Sequence, residues 1–339
     1  MLTADFDFDL PDGLIAQEAM PRGSSRLLVI DAEGEKRHRS IADLPVLLRP
    51  GDLLVVNNTR VIPARLFARR ETGGRVEVLL VEQMEPLEWI VLAKPGRHAR
   101  PGATLSLAEG LTVEVLDVFD DGRRRVRFSE PIEPHLDALG HVPLPPYIKR
   151  ADEAADHERY QTVYAAIPGA IAAPTAGLHF SPDLLNAVRS GGVEIADLTL
   201  HVGIGTFKPV TTELVHEHRM EEERYELPPA TVDAIERTRA HGGRVVAVGT
   251  TVVRTLESAA ASGTLAAGTG RSSLFITPGY DFRVVDVLLT NFHLPSSTLL
   301  MLVCAFGGRQ RLLAAYAEAV EARYRFYSYG DAMLLERRT

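Results

Sequence analysis

Residues 244–261 read RVVAVGTTVVRTLESAAA, and this stretch decides the fold class. The β-branched run at its start predicts a strand over residues 244–248, and the apolar spacing after the Gly-Thr-Thr turn predicts a helix over 252–261. A helix over residues 231–240, ended by Gly242-Gly243, comes before the strand. Helices that alternate with strands are typical of an α/β sheet.

The same alternation continues on both sides of this stretch. Ser181 and Pro182 are a good N-cap and first helical residue for a helix that ends at Gly191-Gly192, and residues 193–202 follow as a strand. Residues 53–56 add a strand from the N-terminal part of the chain. A late helix presents one apolar face, formed by Leu312, Leu313, Tyr316, Val320 and Tyr324.

Residues 64–128 have a different texture, in which short β-rich runs are separated by Gly and Pro turns. These runs are residues 75–81, 88–93, 104–107, 111–119 and 124–128. Short strands without long helices predict a small barrel, which closes to remove its strand edges. We therefore predict an α/β protein in which a larger α/β sheet domain, residues 1–63 and 147–339, carries an inserted small β-barrel domain at residues 64–146.

The composition is that of an ordinary globular protein, with 339 residues, 45% hydrophobic and 24% charged. The longest apolar run, residues 299–306, is far shorter than the about 20 residues of a membrane helix, and the N-terminus has no signal-peptide pattern. The single cysteine, Cys304, excludes an internal disulfide and a cysteine-rich zinc site. We expect a cytoplasmic protein that has no membrane partner, and a monomer, because nothing in the chain demands an oligomer.

The net charge is −8, which on its own disfavours a nucleic-acid partner. The charges are unevenly spread, however, and one arginine cluster contains Arg60, Arg65, Arg69, Arg70 and Arg75. Such a cluster is either a solvated face or a local basic surface that holds RNA on an acidic protein.

The familiar nucleotide-binding and hydrolase motifs are missing: the sequence has no GxGxxG, GxxxxGK[ST], HExxH or GxSxG. Four polar segments stand out instead, each beside an apolar strand or at the start of a helix. They are residues 57–60, 174–180, 249–254 and 290–295.

The Gly249-Thr250-Thr251 turn opens a helix, where free backbone N–H groups and two hydroxyls meet the positive end of the helix dipole. Arg254 lies in the first turn, where the dipole disfavours a cation. The arrangement suits an anion such as a carboxylate or phosphate. The alternative is that Arg254 pairs with an acid on its own helix, such as Glu257.

Three histidines lie in the polar segments or near them. His201 lies on a predicted strand, whereas His179 and His293 stand beside Phe180 and Phe292 in loops. Each one alone is more often a structural histidine, and the three together could bind zinc. Their Asn, Thr and Phe neighbours favour hydrogen bonding and stacking to a heterocycle.

The segment Tyr327-Ser328-Tyr329-Gly330-Asp331 places aromatic rings beside a carboxylate. This pair would stabilise a sulfonium or ammonium group. A core aromatic cluster with a capping aspartate explains the segment equally well.

Taken together, these segments resemble those of one family. The matching stretches include DFDFDLPDGLIAQ, GDLLVVNNTRVIPARL, GAIAAPTAGLHF, LTLHVGIGTF, VVAVGTTVVRTLESA, TNFHLPSSTLL and YRFYSYGDAMLL, which run in order from residue 5 to residue 335. The sequence is similar to the S-adenosylmethionine:tRNA ribosyltransferase-isomerases of queuosine biosynthesis.

The resemblance implies a two-domain protein with an inserted β-barrel. It also implies that S-adenosylmethionine is a consumed co-substrate that donates its ribosyl unit to 7-aminomethyl-7-deazaguanine at the wobble position of a tRNA anticodon stem-loop. Epoxyqueuosine-tRNA, adenine and methionine are the implied products, and no metal is implied.

Roles for individual residues follow as hypotheses from this chemistry. His179, His201 or Asp331 would act as the base that removes a C5′ proton, acidified by the adjacent sulfonium, or would prepare the amine nucleophile. The methionine carboxylate would bind at Gly249, Thr250 and Thr251 with Arg254, and the cluster residues Arg65, Arg69 and Arg70 would bind anticodon phosphates. The remaining candidates for binding the substrates are Asn57, Asn58, Thr59, Arg60, Thr175, Gly177, Phe180, Gly203, Gly205, Thr206, Asn291, Phe292, His293 and Tyr329.

Three other functions compete with this one. A conventional S-adenosylmethionine methyltransferase needs a glycine-rich loop after its first strand, which the sequence lacks. A non-catalytic RNA-binding protein would use the β module alone. A zinc hydrolase would use His179, His201 and His293.

Overall fold

The computed structural model describes residues 1–207 and 209–337, and the side chains of Glu109, Thr206 and Phe207 lie outside this description. The strands are β1 (Arg26–Ile30), β2 (Lys36–Ser40), β3 (Leu53–Asn57), β4 (Thr59–Val61), β5 (Arg65–Arg70), β6 (Arg75–Glu85), β7 (Glu88–Lys94), β8 (Thr104–Ser106), β9 (Thr112–Val118), β10 (Arg124–Phe128), β11 (Ile167–Ala170), β12 (Glu194–Leu200), β13 (Glu223–Leu227), β14 (Val245–Val248), β15 (Gly268–Ser272), β16 (Val287–Asn291) and β17 (Ala332–Glu336). The α-helices are α1 (Leu44–Leu47), α2 (Leu136–Leu139), α3 (Ala154–Arg159), α4 (Pro182–Ser190), α5 (Pro229–Ala240), α6 (Thr250–Ala259), α7 (Thr298–Gly307) and α8 (Arg309–Glu321).

A mixed sheet forms the larger part of the protein, in the order β15-β13-β12-β3-β14-β16-β17-β1-β2. Strand β3, LLVVN, is buried throughout because parallel neighbours β12 and β14 flank it and helices cover both faces. Helices α5 to α8 pack on one face, and α1 with α4 packs on the other. The hydrophobic core therefore forms two layers, one on each side of the sheet.

The inserted strands close into a barrel, in the order β10-β7-β6-β5-β8-β9. Their side chains alternate between the barrel interior and solvent, as in β10, where Arg124, Val126 and Phe128 are buried and the residues between them are exposed. The interior is filled by apolar side chains, so the barrel is a packed core and not a channel.

The chain leaves the sheet and returns to it at one place. Strand β4 precedes the barrel, β11 follows it, and the two pair in parallel as a small separate sheet. This pairing ties the two connections to the barrel together at the end of β3.

The predicted fold class, an α/β sheet with an inserted β-barrel, is confirmed. Several predicted element ends differ by one or two residues, as in β12 and α6, whereas β6 extends four residues beyond its predicted end at residue 81, and Tyr324 lies beyond the end of α8. The sequence analysis missed β5 in the barrel and the antiparallel edge strands of the sheet, because these strands are short or polar. The bounds 64–146 of the insertion stay a prediction.

None of the helices in the described residues is by itself long and apolar enough to cross a membrane. Helices α7 and α8 meet that criterion only as a pair, and this pair is bent by 115°.

Asp52 joins the starts of the central strands. Its buried carboxylate accepts hydrogen bonds from the Arg244 guanidinium at 2.6 and 3.1 Å and from the backbone N–H of Arg49 at 2.8 Å. Arg244 also pairs with Glu336 at 2.6 Å. The strands β3, β14 and β17 are thereby connected through one charged group.

We expect Asp52→Asn to lower the free energy of unfolding of the sheet by about 3 kcal/mol, because it leaves the Arg244 charge poorly compensated in a buried position. Urea titration followed by far-UV circular dichroism measures this change, while the fluorescence of Trp89 follows the barrel separately. The matched control is Glu194→Gln, since Glu194 pairs with Arg237 at an exposed position and should contribute less than about 1 kcal/mol. Equal effects of the two substitutions would contradict the assignment.

Candidate active site

A large cavity of about 1130 Å³ lies between the barrel and the outer strands of the sheet. This volume exceeds the range of about 300–1,000 Å³ for small-molecule sites, so the cavity has room for more than one ligand group. The barrel side contributes apolar side chains together with Glu82, Gln83, Glu133 and Asp137, and the sheet contributes a polar wall. The apolar side chains include Val81, Trp89, Leu136 and Val142, and the polar wall includes Thr199, His201, Arg224, Glu226 and Arg271.

His201 lies on the polar wall, immediately after β12. Its Nδ1 is 2.9 Å from Thr59 Oγ1, so Thr59 orients the ring. A tautomer with the proton on Nδ1 donates it to Thr59 and leaves Nε2 as a proton acceptor. Partial burial and the charge of Arg224 lower the pKa of His201, so the imidazole is neutral at pH 7.

Gly169 supports the ring of His201 from β11. A Cβ atom at this position would lie 2.8–3.2 Å from three ring atoms of His201, and the backbone φ is +144°, where side-chain-bearing residues are rare. Only glycine fits both conditions. The sequence analysis did not identify this position as part of the site.

The two asparagines after β3 are tied into the fold. Asn57 Oδ1 accepts hydrogen bonds from the N–H groups of Leu200 and Thr59, and its Nδ2 donates to the Leu200 carbonyl at 3.0 Å and to Thr251 Oγ1 at 3.3 Å. Asn58 contacts Asp197 and accepts from Thr199 Oγ1 at 2.7 Å. Of the four residues at 57–60, the described lining of the large cavity includes Arg60 alone.

A second, small pocket of about 50 Å³ lies at the start of α6, and Tyr160 lines both cavities. Seven candidate residues line it: Thr175, Gly249, Thr250, Thr251, Asn291, Phe292 and His293. The Tyr160 hydroxyl is buried there beside the Ala173 backbone and Ser328, and the Asn291 side chain is buried beside His179. A pocket lined by buried polar groups at a helix N-terminus can hold a small polar or anionic group.

His293 is buried in this small pocket, 3.0 Å from Thr290 Oγ1 through its Nε2. Burial lowers the pKa of His293 to about 3, so it carries no charge at neutral pH. Phe292 is fully buried and packs edge-on against Tyr316 and Tyr324. This ring belongs to the sheet's hydrophobic core.

Arg254 forms a buried ion pair with Glu223 of β13. The expected alternative partner, Glu257, instead accepts hydrogen bonds from the backbone N–H groups of residues 283–285, so pairing within the helix is wrong. Glu223 also accepts from the Gly203 N–H at 3.0 Å. Arg254 therefore sits behind residues 203–205 and is absent from the described lining of both cavities.

Two other candidate bases lie behind the small pocket. His179 Nδ1 is 2.9 Å from Ser25 Oγ, and burial lowers the pKa of His179 to about 4 against the opposing influence of Asn291 and Asp331. Asp331 accepts from the Arg26 guanidinium at 3.0 Å and from the Arg325 N–H at 2.8 Å. The described lining residues of the two cavities include neither group.

The aromatic and glycine candidates near His179 have packing partners. Tyr329 donates from its hydroxyl to Asp156 Oδ1 at 3.1 Å, and Phe180 is fully buried. A Cβ atom on Gly177 would lie 2.3 Å from the Tyr164 hydroxyl. Gly205 lies beside Glu221, and the side chain of Thr206 is outside the described residues.

The arginines predicted to bind RNA lie on β5. Arg65 pairs with Glu77 at 3.4 Å and donates to the Leu144 carbonyl, Arg69 is exposed, and Arg70 lies against the turn at Gly74. None of the three is among the described residues that line the large cavity.

The sequence analysis missed several residues of the large cavity. Arg224 and Arg271 lie on short antiparallel strands that were not predicted, and Glu82 reaches them from the barrel. Trp89, the single tryptophan, is only 6% exposed, and its Nε1 has no hydrogen-bond partner among the described residues. Trp89 is the single tryptophan of the chain, and this is the feature by which the sequence could have identified it as a candidate.

The described residues contain no group of three or more His, Cys, Asp or Glu side chains placed to hold a metal ion. The alternative of a zinc site built from His179, His201 and His293 therefore gains no support from their positions.

Comparison with known proteins identifies the family of this chain. The model of the family described as queuosine biosynthesis protein matches residues 3–335. The S-adenosylmethionine:tRNA ribosyltransferase-isomerase of Gloeobacter violaceus is 56% identical, covering 98% of this chain and 96% of its own length. The enzyme of the same name from Thiobacillus denitrificans is 53% identical, covering 99% of this chain and 98% of its own.

The crystal structure of S-adenosylmethionine tRNA ribosyltransferase from Thermotoga maritima is also similar. It is 38% identical, covers 98% of this chain and 99% of its own, and superposes with a TM-score of 0.57. The family resemblance predicted from the motifs is confirmed, and the chain belongs to the queuosine biosynthesis protein family.

Proposed function

We propose that this chain is an S-adenosylmethionine:tRNA ribosyltransferase-isomerase. It transfers and isomerises the ribosyl unit of S-adenosylmethionine to 7-aminomethyl-7-deazaguanine at the wobble position of tRNA, which gives epoxyqueuosine-tRNA, adenine and methionine. The observation that carries the proposal is the large cavity between barrel and sheet, with a neutral histidine on its wall, in a chain 51–56% identical to relatives of that name. Reaction with tRNA and S-adenosylmethionine would take place in the cytoplasm.

The position of His201 favours it as the base. A general base must reach the proton that it removes, and among the three candidates His201 is the one found in the described lining of the large cavity. Its Nε2 would accept a C5′ proton of the ribosyl group, next to the sulfonium. The electron pair left on C5′ would be stabilised by the sulfur and would then form a C4′–C5′ double bond as the C4′–O4′ bond breaks. O4′ would form a carbonyl with C1′, and adenine would leave C1′ with the electron pair of the C1′–N9 bond and take up a proton.

His179 and Asp331 would then be positioning residues. Asp331 holds the N–H groups of Arg26 and Arg325, and so fixes the C-terminal segment that carries Ser328 and Tyr327 to the small pocket. His179 holds Ser25 on the other side.

The small pocket is the proposed site for the methionine carboxylate. The first N–H groups of α6 and the hydroxyls of Thr250, Thr251 and Tyr160 would donate to it. Arg254 would support this site indirectly, since it neutralises Glu223, which holds Gly203. Asn291 and His293 would complete the polar lining.

Product analysis tests the proposed reaction. Incubating the protein with S-adenosylmethionine and an anticodon stem-loop carrying 7-aminomethyl-7-deazaguanine should release adenine and methionine and increase the RNA mass by the ribosyl unit. Formation of S-adenosylhomocysteine would instead identify a methyltransferase. Binding of the RNA without any product would identify a non-catalytic RNA-binding protein.

His201→Asn should lower kcat about 10²- to 10⁴-fold, because it removes the proton acceptor. Binding of S-adenosylmethionine by equilibrium dialysis should change little. His241→Asn is the matched control, since His241 is exposed at the end of α5 and should leave kcat unchanged. A similar kcat for His201→Asn and the wild type would exclude His201 as the base.

The pH profile of kcat should have its acidic limb below pH 6.5, because the pKa of His201 is lowered and only the neutral ring accepts a proton. Activity is then full above that pKa and is lost as the pH falls through it. Arg224→Gln removes a nearby positive charge, so it should move the limb to higher pH at saturating RNA. An acidic limb at the same pH in Arg224→Gln and the wild type would contradict the effect of the Arg224 charge on His201.

S-adenosylmethionine should change the emission of Trp89 with saturation, since this single tryptophan lines the large cavity with a free N–H. The dissociation constant from fluorescence should match the one from dialysis. Trp89→Phe provides the blank for the signal. Binding detected by dialysis without any change in emission would place the ligand away from the barrel wall.

A further inference from the structure

Two arginines face each other on the outer edge of the sheet. Arg224 of β13 and Arg271 of β15 are direct partners in the antiparallel register. Both line the large cavity, and their side chains are 44% and 47% exposed. Like charges at directly opposed positions of two strands repel each other. The pair therefore favours an anion placed between the two guanidinium groups.

Glu82 supplies an anion from the barrel. Its Oε1 lies 2.6 Å from Arg271 Nη2 and 3.6 Å from Arg224 Nε, so one oxygen serves both groups. Glu222 approaches Arg271 only to 3.9 Å and is itself exposed. Most of the guanidinium N–H groups thus have no carboxylate within hydrogen-bond distance among the residues that the structure describes.

We propose that Arg224 and Arg271 form a binding site for a backbone phosphate of the RNA substrate, and that Glu82 occupies this site in the free protein. This inference rests on the proposed function, which supplies an RNA to the large cavity. Guanidinium forks bind phosphate through paired N–H donors, and a phosphate offers more acceptor oxygens than one shared carboxylate oxygen. S-adenosylmethionine carries no phosphate, and its carboxylate is assigned to the small pocket, so the phosphate belongs to the RNA.

The position of the arginines beside His201 supports the assignment. The backbone N–H of His201 donates to the backbone carbonyl of Arg224 at 3.0 Å, so the two residues are neighbours across β12 and β13. A phosphate held at Arg224 brings the attached nucleotide to the wall that carries His201. A base that reacts there must leave the anticodon stack, and a fixed phosphate beside the cavity would hold the backbone during this movement.

A purely structural role makes a different prediction. If the Glu82–Arg271 pair only fastens the barrel to the sheet, removing either partner weakens the same contact, and both substitutions change RNA binding in the same direction. If Glu82 competes with phosphate, the two substitutions have opposite effects, because one removes the site and the other removes its competitor.

The experiment uses the full chain and a fluorescein-labelled anticodon stem-loop with the 7-aminomethyl-7-deazaguanine base. Its dissociation constant is measured by anisotropy over a series of KCl concentrations. Arg271→Gln should weaken binding about three- to tenfold and reduce the slope of log Kd against log salt by about 0.7–1. Glu82→Gln should tighten binding about two- to fivefold at low salt, since it frees both arginines.

Arg125→Gln is the matched control. Arg125 lies on β10 and pairs with Asp117 and Glu88 at 45% exposure, and it is not among the described residues of the cavity. The Arg125→Gln variant should bind the stem-loop with the same dissociation constant and the same slope of log Kd against log salt as the wild type. Circular dichroism checks that each variant folds. If Arg271→Gln does not fold, Arg224→Gln provides a second variant of the site.

Weaker binding by Arg271→Gln together with tighter binding by Glu82→Gln supports the phosphate site. Weaker binding by both, or a salt slope equal to that of Arg125→Gln, overturns it. Adenine release by the wild type separates this inference from the proposed function. With adenine release and an unchanged slope, only the phosphate site fails; with the expected slopes and no adenine release, the RNA site stands and the proposed reaction fails.

Discussion

The side chain of Asn57 is the interaction on which the arrangement of the site depends. It lies fully buried at the end of β3, where the chain leaves the main sheet for the barrel, and its amide contacts Leu200, Thr59 and Thr251. A buried amide in the protein interior is stable only when its donors and acceptors are paired. Asn57 therefore fixes the end of β12, the start of β4 and the first turn of α6 relative to one another.

Both cavities are built on this junction. Thr59, held by Asn57, positions His201 on the wall of the large cavity, and Thr251, also held by Asn57, lies in the wall of the small pocket. The segment that begins with β11 separates the two cavities, with Gly169 lining the large one and Ala172 the small one. A buried polar residue that looks like a ligand contact in the sequence thus acts by positioning residues that can contact a ligand.

Burial and ion pairing set the charges of the groups around the two cavities. Burial keeps His293 uncharged in the small pocket, and partial burial with the charge of Arg224 keeps His201 neutral in the large cavity. The buried charge of Arg254 is compensated by Glu223. The Glu223 carboxylate also accepts a hydrogen bond from the Gly203 N–H, so Arg254 supports the backbone at Gly203 through Glu223. Arg224 and Arg271 are near solvent, beside Glu82, on the edge that an extended polyanion can reach.

The sequence by itself determined the fold class, the family and seven of the residues that line the small pocket. Those features are local or depend on long motifs. A β-branched run followed by Gly249-Thr250-Thr251, for example, predicts a strand, a turn and the start of a helix. The tertiary structure decided which polar residues face a cavity and which support it. His179, His201 and Asp331 were indistinguishable as bases, and Arg224, Arg271 and Trp89 carried no motif, because their exposure depends on where the barrel meets the sheet. That contact joins residues nearly 200 positions apart, such as Glu82 and Arg271, and no periodicity within a strand or helix encodes it.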